Sequence, residues 1–251
     1  MPIKRLFSAL RGTRSWHLPE GRRVYAVGDI HGRLDLLDRL LDSIAEDEAA
    51  RPPADTTIIF LGDLVDRGPD SCGVVERLLQ LSRGPMPTRF LRGNHDDVFL
   101  RAIDGDVRAL RFLIRIGGRS TVLSYGISEE DYRQLGFEEL AEVLREKVPD
   151  EHRAFLASFE PFVEIGDYLF VHAGVKPGVP IEDQSTSDLY WIRDDFLQCR
   201  DCFGKMVVHG HSISEGVEVR SNRIGIDTGA FATGQLTAVG LEQSRRWFLS
   251  T

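Results

Sequence analysis

Two periodicities alternate over the first hundred residues of the chain. Short β-prone runs occur at Arg23–Val27, Thr56–Leu61 and Thr88–Leu91, and a glycine follows closely after each of them. Between these runs, apolar residues recur at the spacing of an amphipathic helix. The glycines that follow the runs are 34 and 31 residues apart, which is about the length of one βαβ unit. This pattern predicts a parallel β-α-β-α-β arrangement.

The pattern changes in the second half of the chain. Residues 98–160 have mainly helical spacing, and several short β-prone runs then follow at close intervals, which predicts antiparallel strands. Because no Ser-rich or Pro-rich linker divides the sequence, we expect residues 20–251 to form one domain. The predicted class is α/β, a four-layer α/β/β/α sandwich of two mixed sheets flanked by helices. The later runs are Phe162–Ile165, Tyr168–Val171, Met206–Val208, Val217–Val219, Arg223–Ile226 and Leu236–Leu241.

Composition narrows the classes of protein to consider. The 251 residues carry a formal charge of −8. Because nucleic acid is also negatively charged, we do not expect the chain to bind it non-specifically. The sequence contains no run of about 18 apolar residues and therefore predicts no transmembrane segment. Three cysteines are too few for a disulfide scaffold and favour a reducing, cytoplasmic location.

The N-terminal residues differ from the rest of the chain in charge. Residues 1–19 contain four basic residues and no acidic one, whereas the other 232 residues carry 27 basic and 39 acidic side chains. Ile3, Leu6, Phe7 and Leu10 fall at helical spacing, so contact of a short helix with a membrane surface or a partner is one hypothesis. A partly ordered, solvated arm over residues 1–19 is the interpretation that we favour.

Candidate chemistry is concentrated directly after the predicted strands. The polar clusters are GDIHG at 28–32, GDLVDRG at 62–68, GNHD at 93–96, HAG at 172–174 and HGH at 209–211. They contain five of the seven histidines of the chain. Ligands of parallel sheets bind outside the carboxyl ends of the strands. We therefore expect the clusters to meet at one edge of the fold.

Six side chains in these clusters form a mixed set of oxygen and nitrogen ligands. Such a set suits Mn²⁺, Fe²⁺ or Zn²⁺ better than Ca²⁺ or Mg²⁺. Six ligands are too many for one tetrahedral catalytic zinc, but they fit two metals that share a carboxylate. Turn formation or helix capping would explain the acidic and amide residues at these places, but not the histidines. The six candidates are Asp29, His31, Asp63, Asn94, His172 and His211.

The five clusters, in this order, resemble those of the calcineurin-like metallophosphoesterase superfamily. GDIHG, GDLVDRG and GNHD are similar to the motifs of its phosphoprotein phosphatase family of serine/threonine phosphatases. HGHS at 209–212 and DTGA at 227–230 resemble the compact type found in bacteria and phage lambda. The resemblance extends from residue 23 to about residue 241. It implies two mixed sheets packed face to face, with helices outside.

The resemblance also implies a place for each candidate ligand. Asp29, His31 and Asp63 would surround one divalent ion, and Asp63 would bridge to a second. The second ion would be held by Asn94, His172 and His211.

Further residues are implied to take part in catalysis. His95 resembles the general acid of the family, oriented by Asp66. Arg67 resembles a phosphate-binding arginine, and Arg193 resembles a second one. Asn94 would contact the substrate phosphate in addition to its metal. His209, two residues before a candidate ligand, is interpreted as a strand residue that packs near the site.

The predicted activity is that of a bacterial-type, metal-dependent phosphoprotein phosphatase that acts on serine or threonine phosphate esters of a phosphoprotein or phosphopeptide. Attack by a metal-bridging hydroxide is expected, with two divalent ions, foremost Mn²⁺ and otherwise Fe or Zn. The alternative is a hydrolase of dinucleoside polyphosphates or other nucleotides on the same centre. His31 counts against that alternative, since such enzymes resemble this pattern but commonly carry Gln there. A non-catalytic binding module is a third hypothesis.

Overall fold

The structure is a computed structural model and describes residues 15–251 of the chain. Two five-stranded sheets pack face to face, and helices cover their outer faces. The strands are β1 (Arg22–Val27), β2 (Asp55–Phe60), β3 (Thr88–Phe90), β4 (Phe162–Ile165), β5 (Tyr168–Val171), β6 (Met206–His209), β7 (Glu218–Val219), β8 (Arg223–Gly225), β9 (Thr237–Glu242) and β10 (Arg245–Ser250). The helices are α1 (Leu34–Ala49), α2 (Ser71–Ser82), α3 (Asn94–Ile103), α4 (Val107–Leu113), α5 (Arg119–Ser124), α6 (Glu129–Gln134), α7 (Phe137–Lys147), α8 (Asp150–Ala157), α9 (Thr186–Trp191), α10 (Asp194–Leu197) and α11 (Ala230–Thr233).

The first sheet has the strand order β10-β9-β1-β2-β3. β1 pairs in parallel with β2, and β2 pairs in parallel with β3. Helices α1 and α2 form the two connections, so the predicted β-α-β-α-β arrangement is confirmed. β9 lies antiparallel to β1, and the C-terminal strands therefore share a sheet with the first strand.

The second sheet has the order β4-β5-β6-β8-β7 and is mixed. The prediction of antiparallel strands in this half is wrong for two neighbouring pairs, because β5 with β6 and β6 with β8 are parallel. The pairs β4 with β5 and β7 with β8 are antiparallel. Parallel neighbours need a long crossover, and the segment between β5 and β6 supplies one that contains α9 and α10.

The pattern of the sequence does not predict β10. This strand pairs antiparallel with β9 at the edge of the first sheet. It begins with two exposed arginines, Arg245 and Arg246, so only Trp247, Phe248 and Leu249 give an apolar signal, which is too short to predict a strand. Charged side chains are typical of an edge strand that must avoid pairing with another chain.

Three hydrophobic cores separate the four layers. The core between the sheets contains Val24, Phe170 and Ile226. The first sheet buries its other face against α1, α2 and α3, and the second sheet packs Val171 against Phe196 of α10. These cores hold both sheets in a fixed relation, so the loops at the strand ends are anchored on a rigid frame.

The folded body begins earlier than residue 20. Trp16 and Leu18 are buried in the core between the sheets, and the Leu18 amide donates to the Gln243 carbonyl at 3.0 Å. Residues 15–19 of the predicted arm are thus packed. The apolar positions within residues 1–14 lie outside the described residues. Over residues 15–251, no helix combines the length and the apolar character needed to cross a membrane.

Candidate metal centre

The loops after the strands contain backbone conformations that are unfavourable for most residues. Positive φ angles occur at His31 (47°), Asp63 (50°), Asp66 (74°), Arg67 (68°) and His211 (61°). Such conformations cost of order 1–3 kcal/mol each and cluster at functional sites. Their concentration marks these loops as the candidate site.

One group of potential ligand atoms comes from the first sheet. Atoms of His31, Asp63 and His95 all lie within 4.8 Å of one another. The Nδ1–H of His31 donates to the Val65 carbonyl at 2.8 Å, which leaves its Nε2 facing Asp63 Oδ2 at 3.7 Å. Burial lowers the pKa of His31 to about 3, so the ring is neutral and its Nε2 lone pair is available.

A second group joins both sheets and shares the same carboxylate. Atoms of Asp63, His172 and His211 also lie within 4.8 Å of one another. The Nδ1–H of His172 donates to the Leu61 carbonyl at 2.8 Å. Its Nε2 faces Asp63 Oδ2 at 3.5 Å, Asn94 Oδ1 at 3.0 Å and His211 Nδ1 at 3.2 Å. Asp63 therefore occupies the position between two ligand clusters that a bridging residue needs.

The nitrogen and oxygen atoms that meet in the second cluster are suited to bind a cation. Burial lowers the pKa of His172, so its Nε2 carries a lone pair that faces the carbonyl oxygen of Asn94, an unfavourable contact between two acceptors. The Nδ1 of His211 lies 3.2 Å from the Nε2 of His172, and the Nε2 of His211 is buried without a hydrogen-bond partner. A cation between Asn94 Oδ1, His172 Nε2 and His211 Nδ1 would satisfy these three atoms, and mixed N/O sets of this kind bind Mn, Fe or Zn.

Two further buried carboxylates, those of Asp29 and Asp227, lie close to the two clusters without being members of either group. The His211 amide donates to both Asp29 carboxylate oxygens at 3.1 Å, and a Cβ on Gly210 would lie 2.1 Å from that carboxylate. Burial raises the pKa of Asp29 well above its ordinary value, and Asp227 and Asp63 raise it further. Burial likewise raises the pKa of Asp227 to about 6. Buried carboxylates this close to one another are stabilised either by a shared proton or by nearby positive charge such as a cation.

Asp227 is a site residue that the sequence analysis did not assign. It lies two residues after the end of β8, is 3% exposed and lies within hydrogen-bond reach of Asp29. The signal that identified Asp29, an acidic residue just after a β-prone run, was present here as well.

His95 lies between a carboxylate and a guanidinium. Its Nδ1–H donates to Asp66 Oδ2 at 2.6 Å, and its Nε2 accepts from Arg67 Nη2 at 3.0 Å. Burial acts to lower the pKa of His95, but Asp63 and Asp66 outweigh it and hold the pKa above its ordinary value. The other oxygen of Asp66 accepts from the Thr121 hydroxyl at 2.6 Å. This chain of contacts fixes the ring, as the predicted acid–orienting pair requires.

Asp96 is a second residue whose role the sequence analysis missed. Its carboxylate accepts from the backbone amides of Asp63 (2.8 Å), Leu64 (2.9 Å) and Gly93 (3.0 Å). Its pKa is raised to about 7, mainly by burial and further by the negative charge of Asp63. By joining the loops after β2 and β3, Asp96 positions both Asp63 and Asn94.

The two predicted phosphate-binding arginines occupy different surroundings. The Arg67 guanidinium lies 4.7 Å above the Phe231 ring, and that ring also contacts His31 edge-on at 5.4 Å. Arg193 is exposed just before α10. Its charge contributes to lowering the pKa of His172 and of His211, for both of which burial is the main cause. Arg193 is therefore within electrostatic reach of the second cluster.

This arrangement can support hydrolysis of a phosphate ester or anhydride. Cations bound here would lower the pKa of coordinated water and neutralise phosphoryl charge. Arg67 presents a guanidinium that can bind phosphoryl oxygens. His95, when protonated at Nε2, can donate that proton to the leaving oxygen while Asp66 stabilises the imidazolium.

Comparison with known proteins agrees with this site. The sequence profile of calcineurin-like phosphoesterases matches residues 22–229. The chain belongs to this family.

The relatives that it matches include nucleotide hydrolases. A symmetrical bis(5'-nucleosyl)-tetraphosphatase of Acidovorax sp. (strain JS42) is 34% identical over 154 residues, which are 61% of this chain and 44% of the relative. This chain thus matches less than half the length of that protein. The asymmetrical bis(5'-nucleosyl)-tetraphosphatase PrpE of Oceanobacillus iheyensis is 23% identical over 86% of this chain and 87% of its own length.

Solved structures share the fold over most of the chain. A candidate diadenosine tetraphosphatase has a TM-score of 0.63 at 22% identity and covers 91% of this chain and 93% of its own. A cold-active protein tyrosine phosphatase has a TM-score of 0.59 at 16% identity, over 93% of this chain and 81% of its own. At these identities the comparison establishes the metallophosphatase-like fold.

Proposed function

We propose that this chain is a metal-dependent hydrolase of dinucleoside polyphosphates, which cleaves the phosphate bridge at the metal centre. The sequence analysis gave first place to phosphoprotein hydrolysis and named nucleotide hydrolysis as the alternative. The relative that is 34% identical carries a tetraphosphatase name, and this supports the alternative over the first interpretation. We further propose that two Mn²⁺ ions, or Fe or Zn in their place, occupy the two clusters, and that the protein is cytoplasmic.

The observation that carries the proposal is a cavity of about 640 Å³ beside the metal centre, with Arg67 and Phe231 in its wall. These two residues contact His95 and His31, so a phosphate bound at the centre can extend directly into the cavity. The volume lies within the usual range for small-ligand pockets. The Phe231 side chain offers a surface on which a base can stack.

A second aromatic surface adjoins the other cluster. Trp191 contacts His211 edge-on at 6.4 Å and packs against Phe112 at 5.8 Å. Both aromatic side chains are partly exposed, by 37% and 36%. A dinucleoside polyphosphate carries two bases, and the structure offers one aromatic surface near each cluster.

One observation also favours phosphopeptide hydrolysis as a second candidate function. Three carboxylates, those of Asp35, Asp38 and Asp70, line the same 640 Å³ cavity. An acidic wall suits a basic residue next to a phosphorylated one. It also suits ribose hydroxyls and base amino groups, which donate to carboxylates.

A substrate comparison decides between the two candidates. Manganese-loaded protein is assayed for kcat/KM on diadenosine tetraphosphate, a phosphoserine peptide with basic flanks, and p-nitrophenyl phosphate. We expect the dinucleotide to exceed the peptide by at least about 30-fold, since two stacked bases contribute about 1–3 kcal/mol each. Chromatography of the products shows whether the bridge is cut symmetrically or asymmetrically. A higher kcat/KM for the peptide would overturn the proposal.

A variant tests the cavity itself. Phe231→Leu removes the aromatic face and keeps an apolar side chain beside His31. We expect KM for the dinucleotide to rise about tenfold, with KM for p-nitrophenyl phosphate unchanged. Phe248→Leu is the matched control, because Phe248 is a 38% exposed aromatic residue on β10. If both substrates respond equally to Phe231→Leu, the cavity does not bind the nucleoside.

A further inference from the structure

A second cavity, of about 660 Å³, lies beside β8 and is lined by residues 197–200 and 220–223. Three of these residues are arginines, Arg200, Arg220 and Arg223, and none carries a carboxylate. The chain as a whole has a formal charge of −8, so the composition does not explain this concentration of positive charge. None of the candidate metal ligands lines this cavity.

The charges of the three arginines are only partly compensated. One carboxylate, that of Glu218, accepts from Arg220 at 2.6 Å and from Arg223 at 3.0 Å. Arg200 is exposed and has no hydrogen bond or ion pair to any residue of the described part of the chain. Two guanidinium groups therefore share one carboxylate, and the third, that of Arg200, has none among residues 15–251.

Arg223 is the buried member of the set. It is 5% exposed, and its Nε has no hydrogen-bond partner. A buried, unpaired donor on a charged group costs several kcal/mol unless a ligand satisfies it. The guanidinium also lies 5.8 Å above the Phe196 ring, which keeps it from moving away from the cavity.

The loop that carries Arg200 is held in place against β8. The Asn222 amide donates to the carbonyls of Cys199 (3.0 Å) and Asp201 (2.8 Å). These contacts hold the loop of Arg200 next to the segment of Arg220 and Arg223, and all three arginines line the same cavity. Guanidinium groups bind phosphate through paired, charge-assisted hydrogen bonds.

We propose that this arginine-lined cavity binds a small phosphate-bearing anion, at a site separate from the metal centre. Free phosphate and a nucleoside monophosphate share the chemistry that the arginines recognise, and the volume accommodates either. The proposal does not depend on which substrate is hydrolysed at the metal centre.

Calorimetric titration of the manganese-loaded chain tests the proposal, with inorganic phosphate in one arm and AMP in the other. We expect two binding sites in the wild type and a single site in the double variant Arg200→Ala/Arg220→Ala. The control Arg245→Ala/Arg246→Ala removes the same charge from exposed positions on β10 and should retain two sites. AMP binding at least about tenfold tighter than phosphate would show that the cavity also contacts the nucleoside, whereas equal affinities would identify the phosphate group alone as the ligand.

A second variant controls for the case in which Arg200→Ala/Arg220→Ala fails to fold. Ser221→Glu places a carboxylate in the cavity at an exposed position and removes no arginine. We expect it to lose the second site while its turnover of p-nitrophenyl phosphate is unchanged. A single site in the wild type with both probes, or two sites in the Arg200→Ala/Arg220→Ala and Ser221→Glu variants, would overturn the proposal.

Discussion

The two sheets contribute to the metal centre in different ways. The first sheet supplies Asp29, Asp63 and Asn94 from loops after three consecutive parallel strands, and these loops are joined by backbone contacts. The second sheet supplies His172 and His211, and both are held by groups of the first sheet. His172 donates to the Leu61 carbonyl, and the His211 amide donates to Asp29.

This difference indicates that the second sheet depends on the first for the geometry of the centre. The loops of the first sheet that carry Asp29, Asp63 and Asn94 form the frame of the centre, and His172 and His211 of the second sheet are oriented by hydrogen bonds to it. Substitutions in the frame should therefore disturb both clusters, whereas substitutions in the second sheet should disturb only one.

The largest effect is expected for Asp63→Asn, because Asp63 belongs to both clusters. Loss of its charge should reduce metal content from two ions to fewer than one and lower kcat by at least about 1,000-fold, since each ion contributes several kcal/mol. Elemental analysis and steady-state kinetics measure the two quantities. Near-full activity with two ions bound would show that Asp63 does not bridge.

His211→Gln should separate the two clusters. We expect the protein to lose one ion and keep the other, with kcat lowered by at least about 100-fold, since even outer residues of metal sites are worth 10–100-fold. His209→Gln is the matched control. His209 is buried two residues away and packs on Phe196 at 5.0 Å, outside the ligand clusters. Loss of both ions in His211→Gln would show that the first cluster also depends on a side chain of the second sheet.

His95→Asn should act on the leaving group and leave the metals in place. A general acid contributes about 100- to 10,000-fold when the leaving group needs a proton. We expect kcat for an alkyl phosphate to fall about 100-fold and kcat for p-nitrophenyl phosphate to fall less than tenfold. The dinucleotide should resemble the aryl ester, because its leaving group is itself a phosphate. Equal losses for all three substrates would contradict the acid role.

Asp96→Asn tests the frame without replacing a candidate metal ligand, because Asp96 acts on Asp63 through the backbone amide. Replacing the carboxylate puts an amide donor against one of three backbone N–H donors, and leaving such a group unsatisfied costs about 1–3 kcal/mol. Urea unfolding in the presence of a chelator measures this loss. A change in stability below about 0.5 kcal/mol would mean that the loops after β2 and β3 do not depend on Asp96.

Much of the frame could be predicted from the sequence, because each parallel strand of the first sheet is a compact β-prone run followed by a glycine and a polar residue. The same local signal identified the six candidate ligands. Asp227 follows a β-prone run just as Asp29 does, so the same local signal applies to it. Asp96 has the position of an ordinary acidic residue in the first turn of a helix, so no local pattern shows that its carboxylate joins the loops at the site.

Features that depend on distant segments could not be predicted. Parallel pairing of β5 with β6 follows from a crossover whose path is set by packing of α9 and α10. The edge strand β10 begins with two adjacent exposed arginines, and its apolar part is only the three residues Trp247, Phe248 and Leu249. The arginine-lined cavity brings together two segments about twenty residues apart in the sequence. Its arginines have no regular spacing that marks them as neighbours.

The most direct test of the account is an anomalous difference map from crystals of the manganese-loaded protein. The account predicts two peaks, one beside Asp29 and His31 and one beside Asn94, His172 and His211, with Asp63 in contact with both. A single peak, or two peaks that Asp63 does not join, would contradict it.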